Sequence, residues 1–107
     1  MKSWIGVGLD GTLSYYPHLL AIGRPIEPMA DMVKAWIADG IEVRIFTARA
    51  SAPEPLRSKM VKDIEEWCLE HLGKVLPVTC SKDFQCAAIY DDIAHHVDHN
   101  TGRICQE

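Results

Sequence analysis

The chain has 107 residues, long enough for one hydrophobic core and too short for two, so every motif in it has to share a single domain, 1–107. With 15 acidic against 11 basic residues the formal charge is −4, and the Lys and Arg positions are scattered rather than massed in a stripe, which argues against nucleic-acid binding through phosphate neutralisation. No apolar run approaches the ~20 residues of a membrane helix, and Met1-Lys2-Ser3-Trp4 leads straight into a predicted strand rather than a signal peptide, so a soluble, cytoplasmic protein with no membrane partner is expected.

Residues Trp4 to Leu9 are apolar or glycine throughout, the pattern of a strand covered on both faces. Met29, Met32, Val33, Trp36 and Ile37 recur at helical spacing, and Gly40 follows as a stop signal. Ile41, Val43, Ile45 and Phe46 form a second β-branched and aromatic run that ends at Thr47. A second helix is predicted from Pro53 or Pro55, which suit a first turn, with Leu56, Met60, Ile64, Trp67, Cys68 and Leu72 on one face until Gly73. Trp36 and Trp67 sit at core spacing. A third short strand is expected over Val75 to Val78 and a fourth over Ala87 to Tyr90. Asn100-Thr101-Gly102 then signals a turn that closes a terminal hairpin.

The alternation of strands and amphipathic helices implies a parallel sheet with right-handed crossovers and helices on both faces. In such sheets ligands bind beyond the carboxyl ends of the strands. Asp10, Thr47 and Asp91 each stand at such an end, so three polar residues distant in sequence should converge on one edge. The long irregular stretch Ser14 to Pro28 begins just after Asp10, where a flap over a site would lie. The 4 cysteines include no C-x-x-C pair, and 48% hydrophobic content suffices for a core without disulfides, so reduced thiols are expected.

The pieces L-D-G-T-L at 9–13, F-T-A-R at 46–49, Lys82 within C-S-K-D-F and Y-D-D at 90–92 occur in an order that resembles the haloacid dehalogenase-like superfamily, mostly magnesium-dependent phosphohydrolases. The likeness spans most of the chain and is to small, uncapped members of phage or bacterial type. It implies a Rossmann-like three-layer sandwich, a mainly parallel sheet in the order 3-2-1-4 and no separate cap domain. It also implies Mg2+ as cofactor, a small phosphomonoester as substrate, and an open site that a second copy in a homo-oligomer could cover. Phosphoryl chemistry needs a divalent cation on oxygen ligands, fixed donors and an offsetting positive charge. Asp91 or Asp92 could hold the metal together with Asp10, through its carbonyl. Thr47 could donate its hydroxyl, Lys82 could supply charge, and Gly11 and Thr12 could offer backbone amides. Arg49 either contacts substrate or is solvated.

In that family a first aspartate attacks phosphorus and a second, two residues on, acts as acid and base. By position Asp10 is the second. The first falls at Gly8, which has no side chain, so the chain lacks the nucleophile and one metal ligand. Gly8 could be a change introduced into the chain, a naturally degenerate site, or a glycine proper to a fold that only looks like a phosphatase.

Plainer readings stand beside these. Asp10-Gly-Thr is also an ordinary turn, Thr47 could cap the segment after it, and Lys82 could be a surface lysine with Lys59 as the site cation. The adjacent carboxylates of Asp91 and Asp92 repel unless a cation separates them, which favours metal. His95, His96, Asp98 and His99 invite a zinc reading with Cys80 or Cys86, but their spacing lacks the paired pattern of such sites, and surface histidines account for them. The sequence thus points to a magnesium-dependent phosphohydrolase inactive or impaired at Gly8, or to a non-catalytic phosphoryl-ligand or partner-binding module on the same fold.

Overall fold

The computed structural model describes residues 2–105, so Met1 lies outside them. Its strands are β1 (Trp4–Gly8), β2 (Glu42–Phe46), β3 (Val78–Thr79) and β4 (Cys86–Tyr90), and its helices are α1 (Glu27–Ala38) and α2 (Leu56–Leu72). The four strands form a parallel sheet in the order β3-β2-β1-β4. β1 is central, as its unbroken apolar run requires.

Register decides the two faces of the sheet. Ile5 pairs with Val43 and Ala88, and Val7 with Ile45 and Tyr90, so these side chains share one face. Both helices pack there. Ala30 and Val33 of α1 and Ile64, Trp67, Cys68 and Leu72 of α2 join Val7, Val43 and Ile45 in one core cluster. Trp36 packs against Tyr90 with ring centroids 4.9 Å apart and the ring planes tilted by 41°. The α1 stripe is rotated slightly from the expected one, because Met32 is exposed and Ala30 faces inward. Gly40 ends α1 as foreseen: at φ 79° it lets its own N–H reach the Ile37 carbonyl and the Ile41 N–H reach that of Trp36, satisfying two terminal carbonyls. Cys68 lies inside this core, and burial pushes its thiol pKa up to about 11.

The other face carries no helix among the described residues, whereas helices on both faces were expected. Chain length explains the difference. From Thr79 to Cys86 the chain must pass three strand spacings sideways, roughly 14 Å, and about four residues back along the strands, roughly 13 Å. The diagonal is roughly 19 Å, and seven Cα steps extend to at most about 25 Å, which leaves no slack for a helix.

This connection instead lies across Trp4. The indole Nε1–H donates to Asp83 Oδ1 at 2.8 Å, and the Trp4 backbone N–H donates to the Gln85 carbonyl at 3.0 Å. The Arg44 guanidinium stacks 4.5 Å above the Trp4 ring. A Cβ on Gly6 would come 3.1 Å from the ring, so the small residue lets the indole lie flat on the strand. Trp4 is buried as completely as any core residue.

The third strand is shorter and later than expected. Leu76 turns into the core and Pro77 offers only its carbonyl, to the Ile45 N–H at 2.8 Å, so pairing begins at Val78. The terminal hairpin is present, with Val97 bridged to Ile104 and Asn100 and Gly102 at φ 62° and 74°.

The Trp4 indole, followed by the Gln85 amide and Arg44, holds the Asp83 carboxyl below its ordinary 3.8. Its contribution to stability is therefore complete above that value and is lost as pH falls through the lower folded value. Asp83→Asn keeps an oxygen acceptor for the indole and cannot titrate. Denaturant melts of this variant should lose less stability than the unaltered chain between pH 4 and pH 2.5, and parallel acid limbs would refute the Trp4–Asp83 coupling.

Candidate functional site

β1 ends at Gly8 and runs into a tight turn. The Thr12, Leu13 and Ser14 N–H groups all point to the Leu9 carbonyl, at 3.3, 3.0 and 2.9 Å, and the Gly11 N–H donates to the Ser14 carbonyl at 2.8 Å. Gly11 sits at φ 82°, which a side chain would strain. The Gly11 and Thr12 amides, expected as phosphate donors, are thus engaged inside the turn. The Thr12 hydroxyl instead donates to Asp92 Oδ1 at 3.1 Å.

β2 delivers Thr47 to the same edge. Its Oγ accepts the Arg49 N–H at 3.1 Å and caps a single 3-10 turn, Ala48–Ser51. An acceptor lone pair makes that bond, so the hydroxyl proton of buried Thr47 remains available to a ligand.

The turn carries Arg49, which is not a solvated surface cation. It is buried, and its Nε and Nη2 grip Asp10 Oδ2 and Oδ1 at 2.8 and 2.9 Å. Nη1 donates to the Leu19 carbonyl at 2.6 Å, and Nη2 also donates to that of Ala21 at 2.9 Å. One guanidinium ties the end of β1 to the segment expected as a flap.

That segment is a pinned ribbon. Ser14 bridges Pro25, the Tyr15 N–H donates to the Arg24 carbonyl, and the Trp67 indole donates to the Gly23 carbonyl at 2.8 Å. A Cβ on Gly23 would collide with the Tyr15 carbonyl, so only glycine permits this approach.

β4 supplies Asp91 and Asp92. A Cβ at Gly8 would fall on Asp91 Oδ1 and 3.2 Å from the Thr12 hydroxyl. The space that a side chain at position 8 would need therefore holds the Asp91 carboxylate. Among the described residues neither Asp91 nor Asp92 forms an ion pair with a Lys or Arg.

Asp10, Thr47, Arg49, Asp91 and Asp92 all line one open cleft of about 580 Å³, with Tyr16, Leu19, Phe46, Met60 and Ile93 as its apolar walls. A second cleft of about 450 Å³ on the far side of the two aspartates is lined by Gly11, Thr12 and His96. Lys82 is exposed in the β3–β4 connection and lines neither cleft. Lys59 pairs with Asp63 at 3.0 Å on the surface of α2. The structure thus brings together Asp10, Thr47, Arg49, Asp91 and Asp92, and leaves both lysines outside that cleft. The roles of Tyr16 and Leu19 had no sequence signal, since they depend on where the ribbon folds back.

Among the described residues the three-member group of His, Cys, Asp or Glu side chains close enough to share one ion is His96, Asp98 and Cys105, which does not include Asp10, Asp91 or Asp92. The described residues include no helix long and apolar enough to cross a membrane. Comparison of the chain with models of known families, with curated proteins and with solved structures finds no match.

Arg49→Lys tests the tie. One ammonium cannot reproduce a bidentate grip on Asp10 and also reach two carbonyls. The variant should lose ~2 kcal/mol or more of unfolding free energy. Amide exchange should speed up over residues 14–25 ahead of β2. Unchanged protection there would mean that the ribbon stands without Arg49.

Proposed function

We propose that this chain is a magnesium-dependent phosphohydrolase core of the haloacid dehalogenase-like type, formed around a small phosphomonoester and impaired because Gly8 stands where the nucleophile is needed. The observation that carries the reading is the convergence of Asp10, Thr47, Asp91 and Asp92 on one cleft at the carboxyl edge of a parallel sheet.

The donors fit Mg2+, a hard cation that prefers oxygen ligands. Asp91 and Asp92 provide adjacent carboxylates without a paired cation, and they, with the Asp10 carbonyl, would hold it. Bound there, the ion would offset phosphoryl charge in a cleft that neither Lys59 nor Lys82 lines. The Thr47 hydroxyl would donate to a phosphoryl oxygen, and the Tyr16 and Leu19 wall would exclude water from one side. Arg49 acts as a positioning residue through Asp10.

A specific observation favours the second reading, a non-catalytic module that binds a phosphoryl ligand. Both Asp10 carboxylate oxygens are already held by Arg49, so the group best placed for proton transfer serves as an ion-pair partner.

Gly8→Asp separates the two. The new Cβ meets the mobile end of the Asp91 side chain, which must swing aside, and two carboxylates then share one pocket. The variant should melt lower than the unaltered chain in EDTA and recover in Mg2+, because a cation relieves that repulsion. It should hydrolyse p-nitrophenyl phosphate with Mg2+ ~100-fold or more above the unaltered chain, and adding Asp10→Asn should erase the gain. Suppose the variant folds and binds Mg2+, yet neither turns over a panel of phosphomonoesters nor traps a beryllium fluoride adduct. The binding-module reading would then replace the enzymatic one.

A further inference from the structure

The terminal ribbon brings together three metal-binding side chains that sequence spacing does not pair. The Cys105 N–H donates to the His96 carbonyl and the Asp98 N–H to the Arg103 carbonyl, both at 2.8 Å, on either side of the Val97–Ile104 bridge. This register sets His96 directly opposite Cys105. Alternation along each strand then sends His96, Asp98, Arg103 and Cys105 to one face of the ribbon and Val97 and Ile104 to the other. One ligand atom each of His96, Asp98 and Cys105 lies within 4.8 Å of the other two, and the Cys105 thiol donates to Asp98 Oδ1 at 2.9 Å.

We propose that His96, Asp98 and Cys105 form a Zn2+ site that clips the terminal ribbon, with its fourth position open to water. The donor set is one imidazole nitrogen, one carboxylate oxygen and one sulfur, which suits zinc and disfavours magnesium. Bond lengths of about 2.0–2.3 Å in a tetrahedron put ligand atoms roughly 3.5 Å apart, so the three need move only by about 1 Å.

Arg103 completes the arrangement. Its Nε and Nη2 hold Asp98 Oδ2 at 3.0 and 2.9 Å, which fixes the carboxylate and leaves Oδ1 facing the sulfur. This is the outer-sphere support that orients a ligand. On binding, the thiol proton leaves to solvent, a sulfur–zinc bond replaces it, and nothing is oxidised or reduced. The competing account is that the thiol–carboxylate bond and the Arg103 pair close the ribbon unaided. That account leaves His96 its backbone bond to Cys105 and a favourable charge interaction with Asp98, whereas a shared ion would also use the imidazole as a ligand, so His96→Ala bears on the choice. The site is separate from the proposed magnesium site, and its standing does not depend on the phosphohydrolase reading. Because His96 lines the second cleft beside Asp91 and Asp92, a bound ion would also fix that wall.

The test uses the whole chain, stripped of metal under reducing conditions and titrated with Zn2+ by calorimetry and with Co2+ by absorption. We expect one Zn2+ per chain and a sulfur-to-cobalt charge-transfer band. Cys105→Ser should abolish the band, and a Cys80→Ser, Cys86→Ser double variant should keep it. His96→Ala and Asp98→Asn should each weaken Zn2+ binding by at least ~10-fold, the loss already seen on removing outer partners. Circular dichroism checks folding, and the ribbon's place outside the main core cluster keeps these changes local. The proposal is overturned if the chain takes up no more Zn2+ than a variant that combines His96→Ala, Asp98→Asn and Cys105→Ser, if Co2+ binds without a sulfur band, if the band follows Cys80 or Cys86, or if the single variants bind as tightly as the unaltered chain.

Discussion

A guanidinium buried at the carboxyl edge of the sheet governs the rest of this site. Arg49 can leave water only if its donors are satisfied, and an interior charge must also be balanced. Asp10 balances it, and the Leu19 and Ala21 carbonyls take further donors. Three segments are thereby tied to one another: the turn after β1, the 3-10 turn after β2, and the ribbon between β1 and α1. The cleft owes its shape to this tie, since Asp10, Leu19 and Arg49 all stand in its wall. The same tie neutralises Asp10 and leaves Asp91 and Asp92 as the unbalanced anionic charge of the edge.

Two pieces of the motif acquire a physical meaning apart from catalysis. In F-T-A-R the Thr47 oxygen caps the 3-10 turn, and the turn aims Arg49 back at the aspartate of L-D-G-T-L. In Y-D-D the first carboxylate packs where a side chain at position 8 would project, and the second receives the Thr12 hydroxyl. The Asp91 carboxylate stands in the space that a side chain at position 8 would need. An aspartate at position 8 has to displace one charge to introduce another, which is why its consequences depend on metal.

The helical stripe Leu56, Met60, Ile64, Trp67, Cys68 and Leu72 was legible in the sequence because one period and one terminal glycine specify it, and all but Leu56, which is exposed in the first turn of α2, are buried. The convergence of Asp10, Thr47 and Asp91 followed from chain alternation, and the strand order is the one that the family resemblance implied. Long-range polar partners were not legible. Nothing local marks Arg49 as the mate of Asp10 rather than a solvated cation, because the choice depends on how the ribbon returns over α2. Cys105 was likewise overlooked in favour of Cys80 and Cys86, since its partner is set by the hairpin register around Asn100 and Gly102 and not by spacing along the chain. That the described residues put helices on one face alone could have been inferred from arithmetic: once the fourth strand lies next to the first, the connection from β3 is too short to coil.

That short connection has a structural consequence of its own. A parallel sheet normally hides both faces under crossover helices. Here, among the described residues, the Trp4 indole lies over Gly6 at the centre of the face that carries no helix. Trp4 can do so because Gly6 lets the indole lie flat and Arg44 shields its outer side, while Asp83 takes the ring N–H so that no donor is stranded. The Asp83 carboxylate also lies 3.7 Å from the Arg44 guanidinium, so the extended connection is held by the residues it protects. β1 is thus anchored at its amino end by Trp4 and at its carboxyl end by the Asp10–Arg49 pair. The strand between those anchors is the one on which both β2 and β4 align, and its position fixes how far Asp91 and Asp92 project past the edge.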